Sequence, residues 1–188
     1  GPEALGAPHD WCAEWKWDGI RGQLIARAGT RHLWSRGEEL MTDRFPEFAG
    51  AADWLPDGTV IDGEVLAWSG DGPLPFAALQ KRIGRKRVPR SLLAEAPAVL
   101  LAYDLLELGG RDIRARPLAE RRAALDEVLA LVPENAALRP SPLVPFDSWA
   151  DLAALRGTTR ALRAAGVWPQ GACSPYRAGR KRGDWWKW

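Results

Sequence analysis

Lys16-Trp17-Asp18-Gly19-Ile20-Arg21 places an amine, a carboxylate, a glycine and a guanidinium within one short stretch. By composition alone, a Lys-x-Asp-Gly-x-Arg arrangement arises in roughly a few per thousand chains of this length. A lysine is a nucleophile only as the neutral amine, and burial or nearby positive charge lowers its pKa toward that form. Lys16 is flanked by Trp15 and Trp17 and stands close in sequence to Arg21, so it is the candidate nucleophile, and a phosphorus centre is one electrophile it could attack. Such an attack spreads negative charge over phosphoryl oxygens, and other segments must supply cations to meet it. Further candidate segments follow in order: Ser35-Arg36-Gly37-Glu38, Asp62-Gly63-Glu64-Val65, Tyr103-Asp104-Leu105-Leu106 and Gly183-Asp184-Trp185-Trp186-Lys187-Trp188.

The elements that must bring these segments together are legible in outline. Residues 1–10 are rich in Gly and Pro and read as a linker or chain end, leaving one domain over 11–188. Segments 12–17, 21–27 and 31–35 have alternating or β-rich character with glycine-containing breaks between them, which predicts an antiparallel meander with Lys16 at a strand end. Helical spacing predicts a helix over 45–55 with Asp43 as N-cap, and 59–68 reads as a strand centred on Asp62-Gly63-Glu64. Short helices over 75–83 and 91–96 bracket a basic run, and 98–106 is a buried strand ending at the Gly109-Gly110 turn. Pro117 opens a helix running to about 132, and Asp147 caps another running to about 165. Strands early, mixed helices and a strand-like end predict an α+β fold of antiparallel sheets with helices packed outside.

Composition narrows the function classes. The chain of 188 residues can bury a real core, and its apolar runs fall well short of the ~20 residues a membrane span requires. The amino terminus lacks the apolar stretch of an export signal, and the cysteines, Cys12 and Cys173, have no metal-like spacing; a cytoplasmic setting is expected. Neither GxGxxG nor GxxxxGK[ST] is present, so neither common phosphate loop is available. The net charge is only +2, but the cations cluster. Lys81, Arg82, Arg85, Lys86, Arg87 and Arg90 form one run, and Arg177, Arg180, Lys181, Arg182 and Lys187 form a second, as a polyanionic partner would require. Trp15, Trp34, Trp54 and Trp68 are expected to pack rather than to stack on bases.

The ordered segments resemble the nucleotidyltransferase motifs of ATP-dependent DNA ligases over nearly the whole chain. Glu14 to Gly22, Trp34 to Leu40, Arg114 to Leu118 and Arg180 to Trp188 look like those of the bacterial, tryptophan-rich damage-response type. The resemblance implies a nucleotidyltransferase (ATP-grasp-like) adenylation domain that uses ATP and Mg²⁺ and works on nicked duplex DNA, followed in the full-length protein by a C-terminal OB-type domain. It implies that Lys16 is the adenylated residue, with Lys187 as a second catalytic cation. Glu14, Asp18, Arg21, Arg36, Glu64, Tyr103, Lys181 and Lys187 would surround the nucleotide: Glu14 at the adenine amino edge, Arg21 and Arg36 on ribose or phosphate oxygens, and Tyr103 stacked on adenine. Glu64 would take a ribose hydroxyl or a metal, and Arg82, Arg85, Lys86, Arg87, Arg180 and Arg182 would face nucleic acid.

The pattern breaks at Ala165-Gly166-Val167-Trp168-Pro169-Gln170-Gly171-Ala172-Cys173, where the family places Glu-Gly, apolar residues and a lysine on one strand. No carboxylate or lysine stands there, and Pro169 and Gly171 are expected to interrupt a central strand. Two alternatives therefore remain beside a DNA ligase: a catalytically degenerate nucleotide- or DNA-binding module, and an RNA ligase or capping-type nucleotidyltransferase.

Overall fold

The computed structural model describes residues 2–70 and 72–177. Its strands are β1 (Trp11–Trp17), β2 (Ile20–Arg27), β3 (Thr30–Ser35), β4 (Thr59–Ser69), β5 (Gly72–Pro73), β6 (Ala98–Leu108), β7 (Arg111–Asp112), β8 (Leu138–Pro140) and β9 (Ala164–Gly171). The α-helices are α1 (Ala51–Trp54), α2 (Phe76–Ile83), α3 (Arg90–Glu95), α4 (Leu118–Leu129) and α5 (Trp149–Arg156). The architecture is α+β, as the sequence predicts. Its larger sheet runs β3-β2-β4-β6-β7, with β5 on β4 and β8 on β6, and every pairing is antiparallel except β6 with β8.

β1 does not extend the meander. It leaves β2 after the Asp18-Gly19 turn and pairs antiparallel with β9 in a separate two-stranded sheet. Local alternation predicted the strand correctly, but the partner lies some 150 residues downstream, beyond the reach of any local pattern. β9 is a continuous strand despite Pro169 and Gly171, which corrects the expected interruption. With β1 its partner in that sheet, the strand tolerates the ladder donor that proline lacks.

Three apolar clusters form among the described residues: a main core, a smaller one under the β1–β9 sheet, and a third of Leu66, Val99 and Leu101 on which Trp17 and Trp68 pack. The main one joins Leu24, Leu33, Ile61, Val65, Leu100 and Leu105 of the larger sheet to Leu125 and Val128 of α4 and to Phe45 and Phe48. The smaller one joins Ala13, Val167, Trp149 and Leu152, with Trp11, Trp15 and Phe146 against it. Residues 2–10 are packed rather than loose: Trp149 Nε1 donates to the Gly6 carbonyl at 2.9 Å and Trp11 Nε1 to that of Leu5 at 3.1 Å.

Three local expectations change. Pro46 and Gly50 break the helix predicted over 45–55 into 3-10 turns and the short α1, and Asp43 caps nothing. A Cβ at Gly50 would lie 2.3 Å from the Trp54 ring, so the indole folds back onto the backbone there. The last helix is capped by Ser148, in a capping box with Asp151, not by Asp147, and ends at Arg156. Trp15, Trp54 and Trp68 pack against apolar clusters, whereas Trp34 stays 37% exposed.

Candidate active site

Strand alternation sorts the chemistry onto two facing surfaces. On β1, Trp11, Ala13 and Trp15 join the smaller core, so Cys12, Glu14 and Lys16 take the opposite face. Pairing of Glu14 with Trp168 and of Cys12 with Gln170 puts these two β9 residues on that same face, where Lys16 Nζ lies 5.8 Å from the centre of the Trp168 ring. On β4, Ile61, Val65 and Ala67 face the main core, which leaves Asp62 and Glu64 on the other side. A bulge in the β4–β6 ladder between Asp62 and Gly63 sets Tyr103 and Asp104 beside them.

The Asp18-Gly19 turn is where the chain crosses from one sheet to the other, and Gly19 is there for space. A Cβ on it would sit 2.2 Å from the Val65 carbonyl oxygen and 2.8 Å from a Leu66 methyl. The Gly19 N–H favours the ionised form of Glu64, and the close approach to Val65 and Leu66 sets the turn after Lys16 against β4. Gly19→Ala is expected to displace the turn and lower lysine reactivity by ~10²-fold, read as the rate of covalent nucleotide labelling at saturating nucleotide. An unchanged rate would show that the turn does not set Lys16.

Buried charges are paired. Arg21 lies opposite Glu64 in register, yet its guanidinium reaches diagonally to Asp62, with Nε 3.1 Å from Oδ1 and Nη2 2.5 Å from Oδ2. The same Nη2 donates to the Tyr176 hydroxyl at 3.0 Å. Arg121 Nε and Nη2 bind the Asp104 carboxylate at 2.8 and 3.0 Å, and Arg122 Nη1 donates to Glu14. Burial raises the Tyr103 hydroxyl pKa well above its ordinary value. Asp62, Glu64 and Glu14 push it further and Arg21 opposes them, so groups from both sheets surround this ring.

Glu64 stands differently. Burial is the largest influence on it and lifts its carboxyl to about 7, against the Gly19 N–H and Arg21, which favour the ionised form. The native state therefore holds a proton that the unfolded chain has released above about 4.5, so this group's stabilising contribution is full below that pH and is lost as pH rises through 7. Glu64→Gln is expected to gain stability over the parent between pH 5 and 8, on the order of 2 kcal/mol, read from paired thermal melts. A variant that instead loses ground with rising pH would mean that Arg21 and Gly19 outweigh burial.

Several expected site residues stand elsewhere. Arg82, expected on a nucleic-acid face, is 0% exposed: both Glu47 oxygens, the Ala96 and Arg44 carbonyls and the Phe45 ring enclose it. Glu14, expected at the adenine edge, has its carboxylate held inside the protein by Arg122 and, at 3.1 Å, by Gln170 Nε2. Arg85, Lys86 and Arg87 are exposed between α2 and α3, and Arg36 is exposed on the turn after β3. Asp18 lines an open cleft of about 400 Å³ with Leu74, Phe76, Arg163 and Ala165. Arg180, Lys181, Arg182 and Lys187 lie outside the described residues. Sequence reasoning missed Asp62, Tyr176 and the tandem Arg121–Arg122.

A family model described as "ATP dependent DNA ligase domain" matches residues 3–188. A probable DNA ligase of Anaeromyxobacter sp. is 38% identical over 98% of this chain and 35% of its own length. DNA ligase C of Mycobacterium tuberculosis is 45% identical over 63% of this chain and 33% of its own. Among solved structures, mycobacterial DNA ligase D complexed with ATP and MES superposes with a TM-score of 0.76 at 27% identity, covering 96% of this chain and 55% of that one. The chain belongs to the ATP-dependent DNA ligase family. It spans about a third of the length of these curated ligase relatives. The antiparallel sheets with outer helices are the nucleotidyltransferase architecture of those ligases. No helix among the described residues is long and apolar enough to cross a membrane.

Proposed function

We propose that this chain is the adenylation domain, over residues 11–188, of a DNA ligase that becomes covalently charged at Lys16. The neutral amine attacks the α-phosphorus of ATP, the N–P bond forms as the P–O bond to pyrophosphate breaks, and the nitrogen's proton leaves to solvent. A 5′-phosphate oxygen at a DNA nick then displaces the lysine to take the AMP, and the 3′-hydroxyl expels AMP to seal the strand. The observation that supports this most is the position of Lys16, on the inner face of the smaller sheet beside Trp168 and next to the turn that Gly19 packs tightly onto β4.

The remaining roles follow from the surroundings. Tyr103 offers a ring to the base, and Arg21, already oriented by Asp62 and Tyr176, offers donors to ribose or phosphate oxygens. Arg85, Lys86 and Arg87 form an exposed basic turn suited to the DNA backbone. Arg180 and Arg182 are proposed as further DNA contacts, and Lys181 and Lys187 as partners of the nucleotide phosphates. Among the described residues no group of three or more His, Cys, Asp or Glu side chains is placed to hold a metal. That fits Mg²⁺, which keeps most of its waters and phosphate oxygens and takes only one or two carboxylates, Glu64 being the candidate. Bound there, it would neutralise phosphoryl charge. The OB-type domain is proposed to lie in the remainder of the full-length protein.

A second reading, nucleotide or DNA binding without covalent transfer, is favoured by Ala165 and Gln170, which leave β9 without the family's carboxylate and lysine. α-Labelled ATP separates the two. Ligase chemistry leaves acid-labile, base-stable label on the denatured chain, and nicked DNA discharges it. The absence of adduct beside salt-sensitive DNA binding would support the second reading. Preference for GTP, or discharge by nicked RNA alone, would point to a capping-type enzyme or an RNA ligase.

A further inference from the structure

The β1–β9 ladder slips where the chemistry is placed. Its register runs evenly from Trp11 opposite Gly171 to Trp15 opposite Val167 and then shifts to Trp17 opposite Ala164, so Ala165 and Gly166 of β9 face the single residue Lys16. The extra β9 residue kinks the ladder at this point, so how β1 is held on either side of Lys16 bears on where its side chain goes. Glu14 and Trp17 are both held, and by connected groups. Arg122 Nη1 donates to Glu14 Oε1, and Nη2 of the same guanidinium donates to the Ser141 carbonyl. The Ser141 hydroxyl accepts the Trp17 indole N–H at 3.0 Å, and the Ser141 amide is fixed to the Ala102 carbonyl of β6 at 2.7 Å. The second Glu14 oxygen accepts from Gln170 Nε2 at 3.1 Å, so β9 closes the same network.

We propose that Arg122 is a positioning residue for Lys16: acting through Glu14, Ser141 and Gln170, it grips β1 on both sides of Lys16 and sets the amine against the larger sheet. The proposal rests on the reading of Lys16 as nucleophile. Arg122 is buried on α4, whose Leu125 and Val128 belong to the main core, so the grip refers the smaller sheet to the larger one. A buried ion pair seldom repays its desolvation as stability alone, whereas fixing a geometry gives it a use. Gln170 also acquires a role: it stands where the family's strand carries a lysine, and it completes the Glu14 carboxylate without adding a second charge beside Arg122.

The test is single-turnover labelling of the purified chain with α-labelled ATP, reporting the rate at saturation and the half-saturating concentration, with a thermal melt for each variant. Arg122→Met is made together with Glu14→Gln so that no buried carboxylate is stranded. This pair is expected to lose ~10²-fold in rate at saturation, with half-saturation within about threefold of the parent. Gln170→Met is expected to lose about tenfold in the same way, and Arg122→Lys, which keeps the charge, to fall between the parent and the pair. Folded variants labelled at the parental rate, or losing only in half-saturation, overturn the proposal. If the paired variant does not fold, Gln170→Met and Ser141→Ala decide by the same criteria. A parent chain that takes no label, or label that persists in Lys16→Ala, overturns the nucleophile reading and this proposal together, and those two controls distinguish that outcome from a loss confined to the variants.

Discussion

Lys16→Met is expected to abolish covalent adenylation, by roughly 10⁴-fold or more, while leaving the fold intact. The size follows from chemistry: the group removed forms the bond, and no orientation of the remaining residues replaces a missing nucleophile. The harmless effect on stability follows from position. Lys16 stands at the register shift of the β1–β9 ladder, and its neighbours Glu14 and Trp17 keep their own partners when it is replaced. Lys16→Arg is expected to be equally inactive, because a guanidinium stays protonated and offers no lone pair. Intact labelling of either variant, measured by mass after denaturation, would move the covalent chemistry to another residue.

Asp62→Ala carries the second large effect, on stability and on chemistry together. Asp62 is fully buried and takes a forked pair of bonds from Arg21, with the Tyr176 hydroxyl also against it. Removing it strands a guanidinium whose side chain is about one-third exposed, so the cost belongs at the lower end of buried-pair losses, about 3 kcal/mol. For a domain of this size that is a fall of roughly 6–12 °C in Tm. Adenylation is expected to fall ~10²-fold as well, since Arg21 loses the group that fixes its direction. A melt within a degree or two of the parent would mean that Tyr176 alone holds Arg21.

The strands and most helices were legible because each buries one face, and alternation or 3.6-residue spacing records that face directly. What local pattern could not record was partnership. Nothing in 11–17 shows that β1 leaves the meander for β9. Arg82 was misplaced because a run of cations reads as a solvated face, although position 82 lies three residues after the buried Leu79 on α2. The same periodicity marks the missed pair on α4: Leu118, Arg121, Arg122 and Leu125 are all buried and follow the spacing of an apolar stripe. Buried arginines at such positions point to carboxylates across the fold, here Asp104 and Glu14. Asp62 shares its segment with Glu64, and only the β2–β4 register places it where Arg21 can reach it diagonally.

Separate apolar cores under the two sheets bear on how the molecule opens. Their greasy interiors are distinct, and the fastening between them joins the charged and amide groups around Glu14 to an apolar contact, Trp17 of β1 against Leu66, Val99, Leu101 and the Trp68 ring. Hydrophobic burial holds each lobe together, and a seam whose apolar part is one indole against a small cluster adds less cooperativity than either core. The minor lobe can thus fray as its own foldon at a free energy below that of global unfolding. Amides of β1 and β9 would exchange with solvent sooner than those of β4 and β6, and the reactive lysine would belong to the more pliant half.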